Sequence, residues 1–266
     1  MIAVGCDSGA MSVFELNPTD PLKYSEIYSD KVHNGRIMRI FIDEKQGQIY
    51  TIGEDKFMRS VDIKAKCLTH EVFVSKHKLT EMIVDQRNKI AYIGDRNGSI
   101  MVASLATNPP TIKQVVKTSS EGSIRGLEAD FPNKRIFCSC HEDGYIHIFK
   151  LTNPSDPEGR IDKTSSIKTA PKPRVIRWWD DRQELYIGHQ DGIVSVINFA
   201  LNPNGPIYSN KSHEGNVNAL QIIGQEGIVI TGSGDKTIKV ELYNSSSGIP
   251  LRNGIKRKAK DHLRRL

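Results

Sequence analysis

The chain has 266 residues, of which 38% are hydrophobic and 26% charged, and its formal net charge is +6. No uninterrupted apolar run approaches the ~20 residues that a membrane-spanning helix needs, and the four scattered cysteines make no disulfide framework. The first residues also lack the basic and apolar regions of a signal peptide. We therefore expect a globular protein of a reducing compartment, in the cytoplasm.

Six copies of one short pattern follow each other along the chain. In each copy two hydrophobic stretches flank a tight polar turn. The turn residues are Ser8, Asp55, Asn97, Asp143, Asp191 and Asp235, at separations of 47, 42, 46, 48 and 44 positions. A repeat of this length built from strands predicts an all-β fold, the β-propeller, in which each repeat supplies one four-stranded blade.

Each repeat is predicted to contain four strands, a to d from the inside outwards, with the tight turn between b and c. In chain order, strands a are predicted at residues 37–42, 79–84, 124–129 and 175–179, and the segment 212–222 leads into a fifth, with Val217, Leu220 and Ile222 as its buried residues. Strands c alternate in hydrophobicity and are predicted at residues 11–16, 57–63, 99–105, 145–151, 193–199 and 237–242. The edge strands d give only a weak signal.

Two histidines and four aspartates recur at fixed places in these repeats. His33 and His213 each precede a predicted strand a, and Asp55, Asp143, Asp191 and Asp235 lie in b–c turns. This arrangement resembles the WD-repeat family, and the resemblance implies that these residues hold the hairpins together. The Trp-Asp pair of that family is absent from every copy, so the resemblance rests on repeat number and spacing.

A narrower resemblance covers residues 2–16, 90–105 and 175–220, which are similar to the propeller of the WD-repeat and FYVE-domain family. In that family a zinc-binding FYVE module reads phosphatidylinositol 3-phosphate on endosomes. The chain has no Cys-x-x-Cys pair and no Arg-His-His-Cys-type motif, so the resemblance implies neither zinc nor direct phosphoinositide binding here.

The sequence contains six b–c hairpins but only five strands a, because residue 1 falls at the opening of a strand b. Seven blades are the commonest closure in the family, and closure removes open sheet edges. Two interpretations stay open: a seven-blade ring that is incomplete at its N-terminus, or an open ring whose N-terminal edge accepts a strand or blade from a partner.

No catalytic motif is present, so we predict no enzyme activity, no cofactor and no small-molecule substrate. Cys138, Cys140 and His141 could be soft metal ligands, but packing of the cysteines in a buried strand b is the preferred interpretation, and we predict no metal site. His189 or His213 could act as a general base, but we favour a structural role in which they hold the hairpins together.

Trp178 and Trp179 are predicted on opposite faces of their strand. One is expected in the core, and the other is either packed or exposed on a binding surface.

Five basic residues belong to loops that a propeller places on one face: Arg36, Lys76, Lys78, Lys172 and Arg174. They are either solvated charges or a basic rim that binds an acidic protein.

The C-terminal end, residues 255–266, carries much of the positive charge. Ile255, Ala259, Leu263 and Leu266 fall near one helical face, and the rest is basic: Lys256, Arg257, Lys258, Lys260, Arg264 and Arg265. We predict a propeller over residues 1–250 and a basic tail or amphipathic helix over residues 251–266. Such a tail suits an acidic protein, an anionic membrane or RNA, unless it is only a solubilising end.

These features favour a non-enzymatic protein-binding scaffold or adaptor, as a subunit of a multiprotein assembly. The alternatives are a peripheral endosomal or membrane adaptor that uses the tail, and an RNA- or ribosome-associated propeller. Cytoskeletal, ciliary or endosomal association is compatible with each of them.

Overall fold

A computed structural model describes residues 1–20, 22–118, 122–152, 159–169, 172–243 and 250–258; Tyr243 and residues 250–258 are described by their backbone alone. This part of the chain is almost entirely β-strand, and its strands form six antiparallel sheets. By contacts the chain divides into two compact units, one of residues 1–124 and 151–162 and the other of residues 125–150 and 163–266.

The first three sheets come from the first unit. Sheet 1 has three strands, β1 (Ile2–Gly5), β2 (Ala10–Leu16) and β3 (Tyr24–Lys31). Sheet 2 has β4 (Ile37–Asp43), β5 (Gln48–Gly53), β6 (Phe57–Asp62) and β7 (Cys67–Phe73). Sheet 3 has β8 (Leu79–Asp85), β9 (Ile90–Asp95), β10 (Ser99–Ser104) and β11 (Thr111–Lys117).

The other three sheets belong mainly to the second unit. Sheet 4 has β12 (Ile124–Asp130), β13 (Arg135–Cys140), β14 (Tyr145–Leu151) and β15 (Ile161–Lys168). Sheet 5 has β16 (Pro173–Trp179), β17 (Glu184–His189), β18 (Ile193–Asn198) and β19 (Tyr208–Lys211). Sheet 6 has β20 (Val217–Ile223), β21 (Ile228–Ser233), β22 (Thr237–Tyr243) and β23 (Pro250–Lys258). Short 3₁₀ helices at Asp180–Arg182 and Gly224–Glu226 follow β16 and β20.

Consecutive sheets pack face to face within each unit. In the first unit one core joins sheets 1 and 2 through Met11, Ile37 and Ile49, and another joins sheets 2 and 3 through Ile52, Leu79 and Ile93. In the second unit the cores join sheets 4 and 5 and sheets 5 and 6; they include Phe137, Ile176, Leu185, Trp179, Val217 and Leu220. Strands such as β9 and β17 are buried along their whole length, since neighbours cover both faces.

A β-bulge occurs at the start of several of the strands a. The register with strand b shifts between Ile37 and Arg39, between Leu79 and Glu81, between Pro173 and Val175, and between Val217 and Ala219. The residue inside each bulge is therefore left out of the ladder at the start of the strand. In β16 that residue is Arg174, which bears on the site described below.

The predicted all-β fold is confirmed, with six b–c hairpins and five strands a in the described residues. Most predicted strands a and c agree with the structure within two residues. The last strand a, β20, begins at Val217, after the loop that carries His213.

The helix predicted at the C-terminus is wrong for residues 255–258. They belong to β23, which pairs with β22 from Thr237↔Lys258 to Tyr243↔Pro250 and crosses the predicted domain boundary at residue 250. A helix of about 12 residues is marginal in water, whereas pairing with β22 satisfies the backbone hydrogen bonds of both strands. Lys256, Arg257 and Lys258 lie in this strand, and residues 259–266, with Lys260, Arg264 and Arg265, are outside the described residues.

Two further findings concern helices and cysteines. None of the helices in the described ranges combines the length and the apolar character that crossing a bilayer requires. The four cysteines all fall in these ranges and form no disulfide; Cys6 and Cys67 are exposed, while Cys138 and Cys140 are buried.

Candidate functional site

The predicted histidine and aspartate of the sixth repeat meet in the structure. Buried His213 donates from Nδ1 to Asp235 Oδ2 at 3.1 Å, and its Nε2 accepts a hydrogen bond from Thr231 Oγ1 at 2.8 Å. Asp235 also accepts from the backbone N–H groups of Glu214, at 3.0 Å, and of Thr237, at 2.8 Å. These bonds tie the loop before β20 to the b–c turn of sheet 6.

The second repeat contains the same arrangement. His33 Nδ1 lies 2.8 Å from Asp55 Oδ1, and His33 Nε2 lies 2.9 Å from Thr51 Oγ1. The backbone N–H of Asn34 donates to Asp55 Oδ2 at 2.9 Å. This repeat adds a buried arginine, Arg59, whose guanidinium donates to Asp55 Oδ2 at 2.6 Å and to Glu71 Oε2 at 2.8 Å.

Burial and hydrogen bonding together set the protonation of these histidines and aspartates. It lowers the pKa of His33 and of His213, and this effect outweighs the opposing hydrogen bonds to Asp55 and Asp235. The pKa of Asp55 is lowered although burial acts to raise it, because Asn34, His33 and Arg59 all donate to the carboxylate. Both pairs are therefore a neutral imidazole beside an ionised carboxylate at neutral pH.

The other two predicted hairpin aspartates have different surroundings. Asp143 Oδ2 lies 2.7 Å from Nε2 of His147, a residue of β14 in the same hairpin, and Asp143 Oδ1 accepts from Tyr145 N–H at 2.9 Å. Asp191 is exposed and accepts from Ile193 N–H at 3.1 Å. The nearby His189 bonds to Ser195 Oγ at 3.0 Å. The four aspartates are thus equivalent in sequence position but not in contacts.

Two of the predicted partner-binding residues are paired with acidic neighbours. Arg36 contacts Asp7 at 2.8 Å, and Lys78 contacts Glu54 at 2.8 Å; Arg96 lies on the other oxygen of Glu54 at 3.3 Å. Lys76 and Lys172 are exposed. Local carboxylates therefore partly neutralise Arg36 and Lys78.

Arg174 instead belongs to a basic cluster, which we define as Arg125, His141 and Arg174, all half-buried in the second unit. The backbone of Pro173 acts to raise the pKa of His141. Burial lowers the pKa of Arg174, and the nearby charge of Arg125 lowers it further. Burial also lowers the pKa of His141; Arg125 and Arg174 add to this effect, while Glu142 opposes it.

Within the described ranges, the donors of the basic cluster are incompletely satisfied. Arg125 Nε and His141 Nδ1 are buried without a hydrogen-bond partner, and neither arginine forms an ion pair with a described residue. Like charges in partly buried positions are costly when no anion is beside them. The cluster is therefore the candidate binding site for a negatively charged group.

Sequence reasoning missed Arg125 and the threonines that contact the hairpin histidines, and it considered His141 only as a metal ligand. Arg125 follows the first residue of β12, as Arg174 follows the first residue of β16. Alignment of the repeats on strand a would have paired the two arginines. The same alignment on strand b would have paired Thr51 with Thr231, whose hydroxyl groups both contact a histidine.

The two tryptophans are packed rather than presented as anchors. Trp179 is buried in the core of sheets 5 and 6 against Tyr186, at a ring separation of 6.0 Å. Trp178 packs on Phe137 at 4.9 Å and on Phe199 at 5.8 Å. Their predicted placement on opposite strand faces agrees with these separate environments.

Comparisons with known proteins agree on the fold. The family description "WD domain, G-beta repeat" matches residues 179–240. The computationally designed Ika8 protein, in its crystal structure, is similar with a TM-score of 0.69 and 17% identity, over 97% of this chain and 71% of that chain. At this identity the likeness shows the fold alone. No curated protein matches the sequence, and the narrower resemblance to the WD-repeat and FYVE-domain family is not confirmed. The chain has an all-β fold of the β-propeller class, and its residues 179–240 are similar to the WD-repeat family.

Proposed function

We propose that this chain is a non-enzymatic scaffold that binds an acidic segment of a partner protein at the basic cluster. WD repeats generally serve as protein-interaction platforms, and the match over residues 179–240 supports this class of function. The observation that carries the proposal is the pair of half-buried arginines, Arg125 and Arg174, which have no acidic partner in the described ranges.

The geometry of the cluster suits a carboxylate. Guanidinium groups offer parallel N–H donors that match the two oxygens of Asp or Glu. His141 provides a further ring nitrogen, Nδ1, that lacks a partner among the described residues. Exposed Lys172, directly before β16, adds positive charge nearby. An acidic side chain would therefore relieve the repulsion between the arginines and satisfy buried donors.

The described histidine and aspartate pairs support the non-enzymatic assignment. His33 and His213 use both ring nitrogens within the hairpin ties, one toward an aspartate and one toward a threonine. A general base needs a free nitrogen that reaches a substrate. These buried pairs are consequently structural in our proposal.

Fluorescence anisotropy with three labelled peptides of equal length, one glutamate-rich, one neutral and one lysine-rich, tests the proposal. We expect the glutamate-rich peptide to bind in a salt-sensitive way, and the double variant Arg125→Ala/Arg174→Ala to weaken its binding at least 10-fold. The matched control is Arg36→Ala/Lys78→Ala, which removes equal charge from already neutralised sites. Equal weakening by both double variants, or no preference for the acidic peptide, would overturn the proposal.

The predicted strand donor at the N-terminal edge remains a second proposal. In the described ranges β1 pairs with β2 alone, and its Ile2 and Val4 side chains are 46% and 48% exposed. Such an edge can accept an extended segment through backbone hydrogen bonds. We expect the backbone amides of Ile2–Gly5 to be protected from hydrogen exchange in a complex isolated from cells but not in the isolated chain. Equal exchange in both would contradict it.

The tail-based alternatives, membrane adaptor and RNA-associated propeller, stay predictions, as do the cytoplasmic location and the membership in a larger assembly. Of residues 255–266 the structure describes only the backbone of residues 255–258, in β23. No described contact favours either alternative over the basic cluster.

A further inference from the structure

The hairpin between β13 and β14 gathers three different metal-binding groups. Cys140 ends β13, Asp143 lies in the turn and His147 lies in β14. One ligand atom from each, a sulfur, a carboxylate oxygen and an imidazole nitrogen, lies within 4.8 Å of the other two. No other such group of three is found in the described ranges.

The register of the hairpin brings the groups together. Cys140 pairs with Tyr145 and Cys138 pairs with His147, so these four side chains project from the same face of the sheet. Asp143 reaches that face from the turn and places Oδ2 at 2.7 Å from His147 Nε2. Cys140 and His147 are fully buried, whereas the Asp143 side chain is 14% exposed. An ion would therefore enter past Asp143.

Hydrogen bonds outside the cluster hold two of the three groups in a ligating orientation. His147 Nδ1 lies 2.9 Å from Ser166 Oγ in β15, which leaves Nε2 directed at the cluster. Asp143 Oδ1 accepts from Tyr145 N–H at 2.9 Å, which leaves Oδ2 directed at the same point. A histidine ligand in a metal site generally has its second nitrogen fixed in this way.

The second repeat shows what an equivalent hairpin does without such ligands. Arg59 holds the position of His147, four residues after the turn aspartate, and its guanidinium contacts Asp55 at 2.6 Å. A buried positive charge thus balances that aspartate. In the fourth repeat an imidazole and a thiol lie beside the aspartate instead of a guanidinium, and a metal cation bound to them would supply the positive charge.

We propose that Cys140, Asp143 and His147 form a zinc-binding site. The mixture of thiolate, imidazole and carboxylate suits zinc and excludes calcium and magnesium, which take oxygen ligands. Zinc bonds of about 2.0–2.3 Å in tetrahedral geometry would require Asp143 Oδ2 and His147 Nε2, now 2.7 Å apart, to separate slightly around the ion. Three protein ligands leave a fourth tetrahedral position for water or for a side chain of a partner.

The test is titration of the chelator-treated, folded chain with zinc alone, followed by native mass spectrometry and calorimetry. We expect one zinc ion per chain. Cys140→Ser and His147→Gln should each weaken zinc binding by at least about 100-fold, and Ser166→Ala by about 10-fold. Cys138→Ser is the matched control, since it alters a buried thiol of the same strand face outside the cluster, and it should leave affinity unchanged.

Cobalt(II) in place of zinc gives a readout that does not depend on the variants. We expect a thiolate-to-cobalt charge-transfer band in the wild-type chain. The assignment would be overturned if the wild-type chain lacked that band or if the folded wild-type chain bound no zinc. It would equally be overturned by unchanged zinc affinity in a folded Cys140→Ser variant or by loss of zinc binding in Cys138→Ser.

Discussion

Gly192 lies directly against the backbone carbonyl of His213, so that a Cβ on Gly192 would be 1.9 Å from that oxygen. The Gly192 carbonyl in turn accepts from the N–H groups of Ser212 and His213, each at 3.0 Å. Gly9 has the same relationship to His33, again with 1.9 Å to the carbonyl oxygen. The b–c turn and the loop before the next strand a are therefore in close backbone contact in two repeats.

This contact predicts that Gly192→Ala destabilises the protein by about 2–4 kcal/mol, because the methyl group overlaps backbone that cannot rotate away. Positive φ alone does not explain the cost, since Lys236 takes φ 66° at the same turn position of the sixth repeat. Chemical denaturation measures the free energy of unfolding. Gly205→Ala is the control, because nothing lies within 4 Å of its added Cβ; equal effects would contradict the prediction.

The four hairpin aspartates should differ in their contribution to stability. Asp235 accepts from His213, Glu214 and Thr237, whereas exposed Asp191 accepts from Ile193 N–H. We expect Asp235→Ala to lower the free energy of unfolding by about 1–3 kcal/mol and Asp191→Ala by less than about 0.5 kcal/mol. Urea denaturation of the two variants checks this, and similar losses would show that the contacts of Asp235 do not matter.

A buried and an exposed ion pair should differ in how much they contribute to the stability of the protein. Arg59 is 5% exposed between Asp55 and Glu71, while Arg36, 52% exposed, pairs with a surface aspartate, Asp7. Arg59→Ala leaves Asp55 buried without its cation, and we expect a loss of about 3–5 kcal/mol. Arg36→Ala should cost at most about 1 kcal/mol. Thermal and urea unfolding of both variants measure the difference, and a larger loss for Arg36→Ala would refute the prediction.

Stability should fall as the solution becomes acidic below about pH 6.5. Burial lowers the pKa of His33, beside Asp55 and Arg59, and of His213, beside Asp235 and Lys239. The unfolded chain, with ordinary histidine pKa values near ~6.5, then binds more protons than the folded chain, so protonation favours unfolding. Their contribution is complete above the unfolded pKa and is lost as the pH falls through the folded pKa.

His147 acts in the opposite direction. Burial lowers its pKa, but hydrogen bonds to Cys140 and Asp143 outweigh burial and raise it overall. Its contribution is complete below the unfolded pKa and is lost as the pH rises through the folded pKa. We expect the free energy of unfolding at pH 5.5 to be below that at pH 7.5, and the difference to shrink in His33→Gln/His213→Gln. An unchanged difference in that variant would assign the pH dependence to other groups.

The local sequence pattern was sufficient to predict the positions of most strands. Strands b and c and their turns follow from short-range rules, namely alternation, β-branched content and turn residues such as Asp143 and Gly144. Strand a at Ile37–Asp43 and strand c at Tyr145–Leu151 were accordingly predicted almost to the residue. The edge strands, such as β7 and β11, were weak in sequence because their outer faces are exposed and carry mixed residues.

Predictions from the local sequence pattern failed where contacts with residues far along the chain determined the structure. Residues 255–258 have helical amphipathicity, but β22 offers an unpaired edge that their backbone completes. Arg36 and Arg174 look alike as basic loop residues, but Arg36 pairs with Asp7, whereas Arg174 forms no ion pair with a described residue. The group of Cys140, Asp143 and His147 was likewise missed, since the sequence pointed to Cys138 and His141 as companions of Cys140.

By itself the sequence determined the repeat length, the number of b–c hairpins and the all-β class, because strand periodicity and turn chemistry are properties of a few neighbouring residues. Only the tertiary structure decided which aspartate meets a histidine, which arginine is left without an anion and which thiol joins a ligand set. Those outcomes depend on the register between strands and on which loops come close, and they are set by the packing of residues far apart in the chain.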